Sequence, residues 1–235
     1  MKHLFNDAWS FCKFPLEITL DEIFSSDSWA PVDLPHDWMI YNTENLYEEA
    51  VSCYKKIIVK DRLPSGPSAG KIWILFEGVY MDTTVYLNRE HIFTWKNGYS
   101  EFIIDLTPFL RDGENELIVR NEYHLPNSRW YPGSGIYRDV WLVTSEDAHF
   151  VHNGTYLSTK QLGKTWEVFI DAEYICENTP KSSEGIVRHI ITAADGNEVT
   201  THKNAVSISG TAATDKQVMT VIDPVLWDTE TPYLY

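Results

Sequence analysis

Apolar and polar side chains alternate in short runs along most of this 235-residue chain. Residues 52–60 (SCYKKIIVK), 71–79 (KIWILFEGV) and 83–88 (TTVYLN) are rich in β-branched and aromatic residues, the composition of strands. Residues 30–34, 101–106, 115–122 and 136–144 read the same way. Polar or Pro/Gly-rich breaks separate the runs, among them Leu63-Pro64-Ser65-Gly66-Pro67. Residues 71–79 are apolar at consecutive positions, which predicts a strand covered on both faces. Helical signals are brief. Residues 20–24 can make one turn, and residues 106–110 another, with Thr107 as cap and Pro108 at the first helical position. The second is followed by Asp112-Gly113-Glu114-Asn115, a turn that returns the chain to a strand. No strand–helix rhythm is present, so a parallel sheet is not expected.

The pattern changes near Ser145-Glu146-Asp147. Before it the chain is rich in Trp and Pro; after it Thr, Ser, Val, Ile and Ala alternate plainly. In residues 165–176 (TWEVFIDAEYIC), Trp166, Val168, Ile170, Ala172 and Tyr174 share one face. Residues 184–193, 205–209 and 217–222 follow at the spacing of a small immunoglobulin-like sandwich. No Cys-Trp-Cys signature is present, so that expectation rests on strand count. Two all-β domains are predicted, at residues 1–146 and 147–235.

Composition narrows the function classes. Nine Trp, thirteen Tyr and ten Phe suit an all-β core, and also the faces of sugars. A formal charge of −15 repels phosphate backbones and anionic lipid, so neither nucleic acid nor a membrane surface is an expected partner. No apolar run reaches the ~18 residues of a membrane helix. The opening MKHLFNDAWSFCKF carries Asp7 and no continuous apolar stretch, unlike a secretory leader, so a cytoplasmic location is expected if Met1 is the natural start. Cys12, Cys53 and Cys176 are widely spaced and read as reduced, mostly buried thiols. The eight His form no metal-ligand pattern, and no cofactor or metal is expected. Asn153-Gly154-Thr155 is a glycosylation sequon, which carries no weight by itself.

Several stretches resemble glycoside hydrolase family 2, the β-galactosidase/β-glucuronidase family. They are Leu34-Pro35-His36-Asp37-Trp38, then Phe76-Glu77-Gly78-Val79 with Thr83-Thr84-Val85-Tyr86-Leu87-Asn88 and Gly98-Tyr99-Ser100, and above all the segment 127–142 (NSRWYPGSGIYRDVWL). The opening LFNDAWSF also resembles the family's usual start, and Pro224-Val225-Leu226-Trp227-Asp228 with Thr231-Pro232-Tyr233-Leu234-Tyr235 is similar to a strand of its immunoglobulin-like domain. The resemblance implies a jelly-roll sugar-binding-like sandwich followed by an immunoglobulin-like sandwich. It also implies a retaining glycosidase whose two carboxyl groups, roughly 5–5.5 Å apart, belong to a (β/α)8 barrel. That barrel is expected to be absent from these residues, the immunoglobulin-like domain to lack its last strands, and the chain to be inactive alone. One departure is visible: the family has Gly after "VYLN", where this sequence has Arg89. The turn type is then open, although Asn88 tolerates positive φ and the hairpin should survive.

Arg129, Trp130, Tyr131 and Asp37 are the substrate-binding candidates. Pro132-Gly133-Ser134-Gly135 cannot lie inside a strand, so it makes a loop that can push an Arg and two aromatics outward. In the family that loop leans towards the sugar pocket; simple interdomain packing is the plainer use. Asp37 either reaches the pocket or caps a turn, Trp38 is expected in the core, and His36 to satisfy a backbone carbonyl. Glu44, Glu48, Glu49, Asp61 and Glu77 read as solvated charges rather than a catalytic pair, and no catalytic residue is assigned. Trp73, Phe76, Tyr86, Trp95 and Phe102 should build the sandwich core, with Phe109 and Leu110 plugging its end.

Three readings follow. The first is the non-catalytic front of a family 2 β-galactosidase, partnered by its own barrel and, weakly, by a carbohydrate. The second is a stand-alone carbohydrate-binding module, told apart by sugar affinity without a barrel. The third is an assembly protein, told apart by a large apolar surface. An unfinished second sandwich further predicts self-association into a homo-oligomer, or disorder after about Asp195.

Overall fold

In the computed structural model, which describes residues 1–63, 70–126, 128–176, 183–208, 210 and 212–235, the alternating runs become antiparallel sheets. Pro64 to Pro67 of the expected break, Asn127 of the loop and Ser209 of an expected strand lie outside the described residues. The chain divides into two units, Met1–Ser145 and Glu146–Tyr235.

The first unit is a jelly-roll sandwich. Its strands are β1 (Lys2–Leu4), β2 (Trp9–Phe14), β3 (Ala30–Val32), β4 (Ala50–Val59), β5 (Ile72–Phe76), β6 (Thr83–Leu87), β7 (Glu90–Trp95), β8 (Phe102–Asp105), β9 (Glu114–Tyr123) and β10 (Val140–Thr144). One sheet has the order β1-β10-β5-β8 and the other β3-β2-β4-β9-β6-β7. Inward-facing Trp9, Tyr54, Ile74, Phe76, Val85, Phe102, Leu117 and Val119 fill the space between them. Phe102 of the first sheet stacks on Phe93 of the second at 5.6 Å and on Phe76 at 4.9 Å, joining the layers through aromatic faces.

The outer face of the larger sheet is also covered, by the short helix α1 (Leu20–Ser25). Six residues are too few for a helix stable alone. A capping box holds it: Thr19 N–H donates to Glu22 Oε2 at 2.9 Å, and Glu22 N–H to Thr19 Oγ1 at 3.3 Å. Ile23 anchors it on Val51, Cys53 and Ile118. Tyr86 faces this side, against Phe24 at 5.7 Å, and so is not in the inter-sheet core that its strand position suggested. Period-two alternation sends it outward when Val85 and Leu87 go in. Trp73 is only half-buried.

Two local expectations change. Residues 106–110 make the single turn expected, Leu110 N–H donating to Leu106 O at 3.1 Å, but Thr107 does not cap it. Its hydroxyl accepts the Ile72 N–H at 2.9 Å and ties the segment to β5, while Asp105 Oδ1 accepts the Thr107 N–H at 2.9 Å. Leu110 still plugs the core, with Phe109 beside it. The run 136–144 is a strand only from Val140, since residues 136–139 serve the loop described below. The β6–β7 hairpin closes through Asn88 and Arg89, both at positive φ (52° and 68°). Asn88 Nδ2 donates to Asn115 Oδ1 at 2.8 Å and Asn88 Oδ1 accepts the Glu116 N–H at 3.1 Å, so the turn is held from β9 although Arg89 stands where glycine would be unstrained.

The second unit is an immunoglobulin-like sandwich of β11 (Ala148–Leu162), β12 (Thr165–Cys176) and β15 (Ala213–Ile222) in one sheet, and β13 (Ser183–Thr192) with β14 (Glu198–Ile208) in the other. Ile170, Ala172 and Met219 form its small buried core. A polar tie crosses that core: His189 of β13 meets Asp215 of β15 at 2.6 Å, and Asn204 Nδ2 donates to the other Asp215 oxygen at 2.9 Å. The described residues after Asp195 are mostly strand.

Candidate carbohydrate site

Three loops of the jelly roll come together around Asp37. The first begins at the end of β3, where His36 N–H donates to Ile136 O at 2.8 Å and draws it against the second loop. Asp37 caps the short 3-10 helix Trp38–Tyr41, its Oδ1 accepting the Met39 N–H at 3.2 Å. It also leaves its own loop. Oδ1 accepts the Ser134 N–H at 3.1 Å, and Oδ2 accepts the Tyr131 hydroxyl at 2.6 Å. The Tyr131 phenol is pushed up, first by burial and then by the Asp37 carboxylate. It therefore stays protonated and donates.

Two glycines make the second loop possible. Gly133 has φ 79°, and a Cβ there would stand 3.3 Å from Asp37 Oδ2. Gly135 has φ 96°, and a Cβ there would lie 2.1 Å from the Tyr54 hydroxyl. Gly135 and Tyr80 exchange backbone hydrogen bonds of 2.9 and 3.0 Å, pinning the loop to the sandwich. Behind it, the Tyr54 phenol donates its one proton to His36 O at 3.2 Å and sits 2.8 Å from His36 Nδ1. With the phenol proton on His36 O, the Nδ1–H tautomer is the one that would donate to the phenol oxygen. His36 thus serves a side-chain partner, and its own carbonyl is the one satisfied. Burial lowers its pKa, against a smaller opposing effect of Asp37.

The third loop was not a sequence-based candidate. Asn97 Oδ1 accepts the Tyr99 and Ser100 N–H groups at 2.7 and 3.0 Å, folding an Asx turn. The Tyr137 hydroxyl donates to Gly98 O at 2.8 Å and Arg138 Nη1 to Tyr99 O at 3.3 Å, which docks this turn on the loop before β10. A Cβ at Gly98 would meet the Tyr80 ring at 2.2 Å. The result presents Tyr99, 46% exposed, to the Trp130 indole N–H at 3.3 Å. The signal was present in Asn97-Gly98-Tyr99, but nothing in local sequence pairs it with a residue 31 positions later.

Trp130 is 62% exposed and Tyr131 37%. Arg129 is exposed and has no hydrogen bond or ion pair to another described residue. Beneath them lies a buried aromatic layer: Trp38 meets Tyr123 edge-on at 6.4 Å, Tyr123 meets Tyr80 at 6.1 Å, and Tyr80 meets Tyr99 at 5.3 Å. The Ser134 hydroxyl and the Trp38 indole N–H are buried without a hydrogen-bond partner. An exposed indole face beside a free guanidinium, on a loop pinned from below, can stack on the apolar face of a pyranose and donate to its hydroxyls. Three of the acidic residues of the sequence reading take structural duties: Glu48 pairs with Lys13 at 2.7 Å, Glu49 accepts the Leu125 N–H at 2.7 Å and Glu77 accepts the Trp141 indole N–H at 2.8 Å. A cleft of about 670 Å³ opens in the second unit, but its walls, including Trp166, Ile170, Ile191 and Trp227, carry no charged side chain to orient a sugar.

Residues 31–146 match the sugar binding domain of glycosyl hydrolases family 2, and residues 150–235 match a second domain of glycosyl hydrolases family 2. The chain belongs to glycosyl hydrolase family 2. A β-galactosidase of Bacteroides ovatus is 35% identical over 226 residues, covering 90% of this chain and 26% of that protein. Among solved structures, a family 2 member from Bacteroides cellulosilyticus superposes with a TM-score of 0.85 at 27% identity, over 99% of this chain and 32% of that one. Bacteroides uniformis β-glucuronidase 2, covalently bound to cyclophellitol-6-carboxylate aziridine, gives 0.85 at 26% identity, over 99% of this chain and 29% of that one. The chain spans about a quarter of the length of the curated relatives it matches.

Proposed function

We propose that this chain is the N-terminal, non-catalytic portion of a retaining family 2 β-galactosidase. On this reading the catalytic carboxylates belong to a barrel outside these residues. The two sandwiches support that barrel, and the loop around Asp37 lends Arg129, Trp130 and Tyr131 to the sugar. The observation that carries the proposal is the pairing of Asp37 with Tyr131 and Ser134, which fixes an outward-facing indole and a free guanidinium. Remote contacts of this kind hold a substrate for chemistry performed elsewhere. Galactosides are favoured over glucuronides by the 35% identity to a β-galactosidase, and more weakly by the charge of −15.

The test is a titration of the whole chain with galactose and with glucuronate, followed by indole NMR shifts and by release of p-nitrophenol from both β-glycosides. Galactose should move the Trp130 indole resonance with a Kd on the order of 1 mM or weaker, because few contacts are available to offset the cost of association. Neither glycoside should be cleaved. Hydrolysis by the chain alone would overturn the non-catalytic role, and shifts confined to Trp166 and Trp227 would overturn the site.

A further inference from the structure

On the outer face of the larger jelly-roll sheet, Cys12 of β2 and Cys53 of β4 are direct cross-strand partners. Residues opposite one another in an antiparallel pair point to the same face, with Cα atoms roughly 4.5–5.5 Å apart. A disulfide needs about 4.4–6.8 Å. Both thiols are free and buried, and their neighbours on that face are Ser10 opposite Lys55 and Phe14 opposite Val51. Above Cys53 lies α1, seated through Ile23. Two thiols brought into register under a six-residue helix have no part in the sugar site on the loops. We propose that Cys12 and Cys53 form a covered dithiol which a small-molecule disulfide closes into an internal cross-strand disulfide when α1 lifts.

The chemistry orders the two residues. Cys53 is fully buried, and burial pushes its thiol up to about 12, so it is the poorer first nucleophile. Cys12 retains some exposure, and the Ser26 hydroxyl and Lys55 partly offset the burial that raises its pKa. Cys12 loses its proton to solvent and attacks one sulfur of oxidised glutathione. That S–S bond breaks, and one glutathione leaves as thiolate. Cys53 then loses its proton and attacks Cys12 Sγ in the mixed disulfide, expelling the second glutathione. The two cysteines lose two electrons and two protons in all, and one glutathione disulfide becomes two glutathione thiols.

The whole native chain is incubated with oxidised glutathione, quenched in acid, unfolded, labelled with N-ethylmaleimide and mapped by mass spectrometry. One label per chain, on Cys176, and a linked Cys12–Cys53 peptide are expected, and Cys53→Ala should retain glutathione on Cys12. Thr19→Ala, which removes the cap of α1, should speed closure about fivefold, the factor that loss of one helix cap corresponds to. Three labels on the native chain, or glutathione held on Cys12 with Cys53 intact, would overturn the dithiol. An unchanged rate in Thr19→Ala would overturn the role of α1.

Discussion

Asp37 and Tyr131, 94 residues apart in the chain, are joined by a hydrogen bond of 2.6 Å between the phenol and carboxylate Oδ2. Oδ1 of the same carboxylate takes two backbone N–H groups, one on each loop. Cutting the contact from either side should therefore give coupled effects. Asp37→Asn and Tyr131→Phe should each destabilise by about 1 kcal/mol, with the double variant costing less than their sum. Urea unfolding of the four proteins measures this, and strict additivity would mean that the two side chains act independently.

Trp130 is 62% exposed, and its indole N–H reaches Tyr99 only at 3.3 Å. Trp130→Ala should change stability by less than about 0.5 kcal/mol while removing the response to galactose. A variant that loses stability and keeps the sugar response would make Trp130 a packing residue.

The strands were legible because alternation and β-branching follow from half-buried sheets. Val85 and Leu87 turn inward and Tyr86 outward, as the period requires. Which face would be covered was not legible, because α1 covers Tyr86 through contacts remote in sequence. At the site, the string from Arg129 to Gly135 announced a loop, and Asp37 a cap. The bond joining Asp37 to Tyr131, and the seat of Tyr99 against Trp130, depend on how β3, β8 and β10 are ordered in the sheets. Local sequence does not encode that order.

Gly135 offers a sharper test of the loop's anchoring. Its φ of 96° disfavours any side chain, and a methyl group would overlap the Tyr54 hydroxyl. Gly135→Ala should cost about 2–4 kcal/mol in thermal or urea unfolding. Adding Tyr54→Phe should recover part of the loss by removing the overlapping oxygen. A cost below about 0.5 kcal/mol would show that the loop moves freely from Tyr54.

His36 should make the fold sensitive to mild acid. Its imidazole is buried among the Phe11, Tyr41 and Tyr54 rings, and burial lowers its pKa although Asp37 beside it pulls the other way. Above about pH 6.5 the imidazole is neutral in both folded and unfolded chains, and no penalty arises. As pH falls below that value the unfolded chain takes up the proton first, so stability declines until the folded imidazole also protonates, and then levels. An NMR titration of the His36 ring should give a midpoint below 6.5, and the matching decline in stability should be shallower in His36→Gln. A midpoint at or above 6.5 would mean that Asp37, and not burial, governs His36, and the predicted acid sensitivity would reverse sign.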